Sequence, residues 1–152
     1  LTIIQQNHVV KEAWRPYNET PDDLRRERDA GEILAKAWRC TPVKLSVKLY
    51  SFDFALCRNK KVLAFAEFKA RGKDYPDYLL SCAKYSAARQ LNSVFGLPLL
   101  FVIQTPSALQ YIDIATATPD RVELGGNARG QNGDIEPCVF FLASQFKKVG
   151  GA

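Results

Sequence analysis

Asp53 is followed fourteen positions on by Glu67-Phe68-Lys69, and both sit in apolar runs on either side of a short basic turn, Arg58-Asn59-Lys60-Lys61. Side chains alternate between the faces of a strand, so Glu67 and Lys69 point the same way. The runs 52–57 and 62–70 are rich in Phe, Leu, Val and Ala, and the polar stretch between them is short enough for a hairpin loop. A hairpin centred near Lys60 makes Asp53 and Glu67 cross-strand neighbours, since their numbers average to 60. Two carboxylates side by side repel, and near neutral pH such a pair is stable chiefly when it shares a cation. Oxygen ligands of this kind suit Mg²⁺ or Mn²⁺, which are held by a few carboxylates and otherwise by water and substrate phosphate. The chemistry open to this set is metal-dependent cutting of a phosphodiester.

A D…ExK pattern is short, and solvated charges on the outer face of a hairpin match it by chance. Here the triplet ends the run Val62-Leu63-Ala64-Phe65-Ala66, which is apolar on both faces. Glu67 and Lys69 are therefore expected to be partly buried and to need partners.

With the helix and apolar strand that follow, these residues resemble the PD-(D/E)xK nuclease superfamily over roughly residues 21–104. The "PD" half reads Phe52-Asp53, without the proline, and the Glu-x-Lys half is intact. The resemblance implies an α/β, restriction-endonuclease-like core: a helix, a three-strand meander, a crossover helix and a further strand, in a central mixed β-sheet flanked by helices. It also implies that Asp53 and Glu67 bind the metal, helped by the Phe68 backbone carbonyl. Lys69 would orient the attacking water or stabilise charge developing on the phosphate. The first core helix of the superfamily often adds an acidic residue, and Glu32 matches that position, with Asp29 second. From its own spacing Glu32 reads equally as a solvated partner of Lys36 at i+4.

The elements that must position these groups have local signatures. Thr20-Pro21-Asp22-Asp23 is a helix start, with Thr20 as cap, Pro21 in the first turn and Asp23 at the positive end of the dipole. The helix is expected to run to about Arg39 with Ala30, Ile33, Leu34, Ala37 and Trp38 on its sheet-facing stripe. Residues 43–50 alternate as a half-buried strand with a basic outer face. Asp74-Tyr75-Pro76-Asp77 is expected to open a second helix ending at Gly96, with Leu80, Ala83, Ala87, Leu91 and Val94 inward. Lys84 falls inside that stripe, where it either snorkels out of the core or reaches an anionic centre. The corresponding helix of related nucleases commonly places a polar or basic residue at the active site, which makes Lys84 a further candidate, with Tyr85 and Gln90 behind it. Residues 97–103 read as a strand covered on both faces, 109–115 and 137–142 as later strands, and 119–136 as a loop.

One domain is expected over residues 1–152, its core at about 21–104 and its C-terminal strands and loop at 105–149. Lys and Arg number 21 against 16 Asp and Glu, and the net charge of +5 suits a phosphate-rich partner, DNA. Arg58, Lys60, Lys61, Arg71 and Lys73 flank the proposed site, and Arg129 lies in the Gly-rich loop, so these are the candidate nucleic-acid contacts. Four irregularly spaced cysteines and the single His8 argue against a zinc site. No apolar run is long enough to span a bilayer and no signal peptide is seen, so a cytoplasmic location without membrane association is expected, in a bacterial or phage-infected cell.

The expected function is Mg²⁺-dependent DNA endonuclease, with Mn²⁺ able to substitute, hydrolysing phosphodiesters by a metal-activated water, in a phage or mobile element. The alternative is a catalytically inactive nuclease-fold subunit that binds nucleic acid. One site cuts one strand, so duplex cleavage calls for a homodimer, a higher assembly or two encounters.

Overall fold

A computed structural model describes residues 20–46, 49–126 and 135–150. In chain order the elements are α1 (Pro21–Trp38), β1 (Thr41–Lys44), β2 (Phe54–Arg58), β3 (Lys61–Ala70), β4 (Asp77–Ser81), α2 (Cys82–Phe95), β5 (Leu99–Gln104), β6 (Leu109–Asp113), β7 (Arg121–Gly125), β8 (Glu136–Leu142) and β9 (Lys147–Lys148). A six-stranded mixed sheet runs β1-β2-β3-β5-β6-β9, and a three-stranded sheet runs β4-β8-β7. The α1–β1–β2–β3–α2–β5 order, with β5 parallel to β3 across the α2 crossover, is the restriction-endonuclease-like core expected from sequence.

The helix start forms a capping box: Thr20 Oγ1 accepts from the Asp23 backbone N–H, and the Asp23 carboxylate accepts from the Thr20 N–H. The buried stripe of α1 is Ala30, Gly31 and Leu34, whereas Ile33 is 43% exposed and Ala37 is exposed as well. The helix is thus turned from the expected phase, with Gly31 on its buried side toward Pro42 of β1, where an added Cβ would make ordinary contact at 3.9 Å.

Strand alternation divides the interior into two layers. Ala64, Ala66 and Phe68 of β3 and Val102 of β5 join Ala30 and Leu34 on the α1 face. Phe65 of β3 and Leu99, Phe101 and Ile103 of β5 face the other way, against Ala88 of α2 and Tyr78, Leu80, Val139 and Phe141 of the small sheet. Period two places Glu67 and Lys69 on the second face, with Phe65.

Three expectations are corrected. The second helix begins at Cys82, not near Asp74, because Tyr78 and Leu80 are buried at period two in β4 and pair with Phe141 and Val139 of β8. That non-local ladder outweighs the local start signal at Asp74-Tyr75-Pro76-Asp77. Ser81 caps the helix instead by accepting from the Lys84 N–H at 3.2 Å, and Gly96 ends it in the left-handed conformation as expected. The inward face moves accordingly, with Ala88 buried and Val94 71% exposed. Among the described residues of the strand expected over 43–50 only those up to Lys44 are paired, in Thr41–Lys44, with 47 and 48 outside the described residues, and the segment read as a loop contains β7, which finds its partner in β8.

Candidate active site

The β2–β3 hairpin turns through Asn59 and Lys60, both at positive φ, 49° and 65°. That is the two-residue turn whose twist suits a hairpin. It pairs Arg58 with Lys61 and is centred half a residue before Lys60. A bulge between Leu56 and Cys57 then inserts one residue on β3, so the ladder continues as Leu56–Ala64, Ala55–Phe65 and Phe54–Ala66. The ladder ends there, one step short of Asp53 and Glu67. Over Phe54 to Leu56 the pairing is the one expected from sequence, and the bulge is what makes it so.

At this point the chain turns from one layer to the other, since Phe52 packs in the α2-side core and Phe54 in the α1-side core. The Asp53 N–H donates to the Ala66 carbonyl at 3.1 Å, and its carboxylate Oδ2 accepts from the Phe68 N–H at 2.8 Å. Asp53 Oδ1 lies 3.8 Å from Lys44 Nζ, which also pairs with Glu27 of α1 and sits over the Phe54 ring at 5.4 Å.

Glu67 is 2% exposed. Lys84 Nζ donates to its Oε1 at 2.6 Å, whereas Oε2 is buried and has no hydrogen-bond partner among the described residues. Burial, and then the Asp53 charge, push the Glu67 carboxyl up to about 7, against the opposing pull of Lys84 and Lys69. Burial likewise pushes the Lys69 ammonium down, while Glu67 holds it up. The site is a desolvated carboxylate with one oxygen held by an ammonium and the other left unpaired beside a second carboxylate.

That orphaned oxygen is what a divalent cation would satisfy. Among the described residues no cluster of three or more His, Cys, Asp or Glu side chains forms, so the donor set on offer is a carboxylate pair. Such a set fits Mg²⁺, which is commonly held by one or two carboxylates and completes its shell with water and substrate phosphate.

Asp53, Glu67, Lys69 and Lys84 therefore gather at one place. Glu32 does not join them: it is exposed, on the wall of a cleft between α1 and β1. The acidic residue that α1 turns toward Asp53 is Glu27, which shares the buried side with Gly31 and Leu34 at i+4 and i+7. Asp29 is exposed, Tyr85 leans on Phe141 at a ring distance of 6.0 Å, and Gln90 is exposed.

The candidate nucleic-acid residues divide by role. Arg58 donates to the Trp38 and Arg39 carbonyls at 2.7 and 3.0 Å, closing the C-terminus of α1. Lys60 and Lys61 are exposed at the hairpin tip, and Lys73 is exposed over the Tyr75 ring at 5.1 Å. Arg71 follows Lys69 on the same side of the chain, half-buried. Arg129 lies outside the described residues.

Lys84 favours the ionised form of Glu67, so Lys84→Met should raise the Glu67 pKa further. Mn²⁺ binding by this variant should need a higher pH than in the parent, and cleavage lost at pH 7 should largely return near pH 9. A deficit that stays the same at both pH values would instead place Lys84 in direct contact with substrate.

This fold and this pair of carboxylates with a neighbouring lysine define a nuclease of the PD-(D/E)xK type. More narrowly, residues 13–149 match the family described as "Phage putative PDDEXK endonuclease", and the chain belongs to that family. Among solved structures it is similar to Hjc, a Holliday junction resolvase from the archaeal hyperthermophile Archaeoglobus fulgidus. The TM-score is 0.54 at 14% identity, over 83% of this chain and 90% of that one. At that identity the likeness is one of fold. No curated protein matches the chain in sequence. No helix of the described residues is long and apolar enough to cross a membrane.

Proposed function

We propose that the protein is a divalent-metal-dependent DNA endonuclease, with Mg²⁺ as the ion and Mn²⁺ able to replace it. The observation that carries this reading is the Glu67 carboxylate, buried beside Asp53 with Oε2 unpaired. A pair so arranged is costly without a cation between its members. Asp53, Glu67 and the Phe68 carbonyl would hold the ion, which when bound neutralises the phosphate and lowers the pKa of water.

The chain's own groups do the rest. The Phe68 N–H fixes the Asp53 carboxylate by its Oδ2, while Oδ1 lies 3.8 Å from Lys44 Nζ. Lys84 holds Glu67 by Oε1, leaving Oε2 free. Lys69, two residues past Glu67 on the same face, presents a fixed positive charge where negative charge develops on the phosphate, in a setting that excludes much of the water. Lys60 and Lys61, exposed at the hairpin tip, and Lys73, exposed beyond β3, would supply salt-sensitive attraction to the DNA backbone. One such site cuts one strand, so two copies would act on a duplex.

The test is a cleavage screen over single-stranded, duplex and branched DNA with Mg²⁺, Mn²⁺, Ca²⁺ and EDTA. Branched DNA is included because a resolvase shares the fold. Strand scission with Mg²⁺ or Mn²⁺, absent in EDTA, is the expected result. Salt-sensitive DNA binding that is indifferent to divalent ions, with no scission on any substrate, would show instead a binding subunit built on a nuclease fold.

A further inference from the structure

Lys44 has no counterpart among the groups that the proposed chemistry uses, yet its ammonium pairs with Glu27 and lies 3.8 Å from Asp53 Oδ1. Three elements converge to place it: α1 supplies Glu27, the end of β1 supplies Lys44, and the residue just before β2 supplies Asp53. Lys44 pairs with neither carboxylate by accident of a long surface side chain. Its ammonium lies 5.4 Å from the centre of the Phe54 ring, a core residue of β2 that is 6% exposed, which gives the charge a third contact beside the two carboxylates. The backbone fixes where the side chain starts, since Lys44 is paired with Phe54 in the β1–β2 ladder and the next residue, Leu45, donates its N–H to the Asp53 carbonyl at 2.8 Å.

On one side Asp53 meets Glu67, the pair that calls for a metal, and on the other it meets Lys44 and Glu27. Two carboxylates converging on one cation is the arrangement that would hold a second divalent ion. Here the cation is part of the chain. Its separation from Asp53 Oδ1 is beyond hydrogen-bonding reach, so it orients the carboxylate by charge without consuming that oxygen.

We infer that Lys44 is a positioning residue that stands in for a second metal between Glu27 and Asp53, and so limits the site to one divalent ion held at Asp53 and Glu67. The inference rests on the metal-dependent reading above. It also assigns Glu27 a role: an anion that keeps Lys44 in place and becomes a metal ligand only when that lysine is removed.

The experiment is the stoichiometry of Mn²⁺ bound at saturation, read by electron paramagnetic resonance and by native mass spectrometry on the full chain. The parent should bind one ion, Lys44→Arg one, Lys44→Met two, and Lys44→Met with Glu27→Gln one again. A merely structural lysine would change thermal stability and leave the count at one in every variant, and that result, or two ions in the parent, overturns the inference. A parent that binds no Mn²⁺ removes the metal-dependent reading and the inference with it, whereas one ion in both the parent and Lys44→Met removes the inference alone. If Lys44→Met does not fold, Lys44→Gln removes the charge while keeping a polar head and is read in the same way.

Discussion

The Glu67→Gln protein should cleave DNA about a thousandfold or more slowly than the parent, and its metal-free stability should no longer fall between pH 4.5 and 7. The first effect follows because an amide cannot supply the anionic oxygen that a hard cation needs. The second follows from linkage. Glu67 titrates at about 7 in the folded protein against 4.5 as its ordinary value, with burial the leading cause and Asp53 the next. Between those two values the folded state holds a proton that the unfolded state has released, so stability drops as pH rises through that window and levels off above it. The drop is at most on the order of 3 kcal/mol. Urea unfolding in EDTA at pH 5 and pH 8 reads it directly. A parent whose stability is the same at both values, or a variant that keeps the parent's slope, would show that the carboxyl is not held protonated by its surroundings. In the parent, added Mn²⁺ should restore the lost stability at pH 8, since a ligand bound only by the folded state adds stability in proportion to the logarithm of its concentration.

Lys69→Met should lower cleavage by about a hundred- to a thousandfold while the protein still folds, still binds Mn²⁺ and still binds DNA with nearly the parent's affinity. Lys69 sits at the end of an apolar run, and burial pushes its pKa down while Glu67 restrains the fall. Such a group is retained at a cost to stability, so methionine, which keeps the aliphatic stem, should be tolerated or mildly stabilising. Removing the ammonium also raises the Glu67 pKa, because Lys69 is one of the charges that lower it. The two consequences separate by pH. An effect transmitted through Glu67 disappears once the carboxyl is ionised near pH 9, as expected for Lys84→Met, whereas a missing charge at the phosphate does not. Single-turnover rates at pH 7 and pH 9 decide it: a Lys69→Met rate that recovers fully at pH 9 would reduce Lys69 to a tuner of Glu67. Lys69→Arg should fail to restore the parent rate, since the guanidinium is larger and planar where the site holds a compact ammonium.

Much of this site could be read without coordinates, because its parts are local. The i, i+2 relation of Glu67 and Lys69 is set by strand pleat alone, and their burial by the apolar run that carries them. The link to Asp53 needed only a hairpin register, although the correct register came from a bulge near Leu56 that compensated for a turn centred half a residue early. The capping box at Thr20, the left-handed Gly96 and the parallel strand after a crossover helix were likewise written in residues close together in the chain.

What failed was what depends on distant partners. Residues 77–81 became β4 because β8, about sixty positions later, offered a ladder and a core for Tyr78 and Leu80. The contacts that Arg58 makes with the Trp38 and Arg39 carbonyls depend in the same way on the docking of α1. A helix phase is set by the surface it packs on, so it took the docking of α1 to bring Glu27, and not Glu32 or Asp29, to Lys44.

The sequence by itself determined which groups lie at the end of the hairpin: an Asp just before one strand and a Glu-x-Lys on the other, in a chain of net charge +5. Only the tertiary structure decided which groups stand around that centre. Pleat and turn geometry act over a few residues, whereas the meeting of Glu27, Lys44 and Asp53, and of Lys84 with Glu67, depends on how α1 and α2 dock on opposite faces of one sheet.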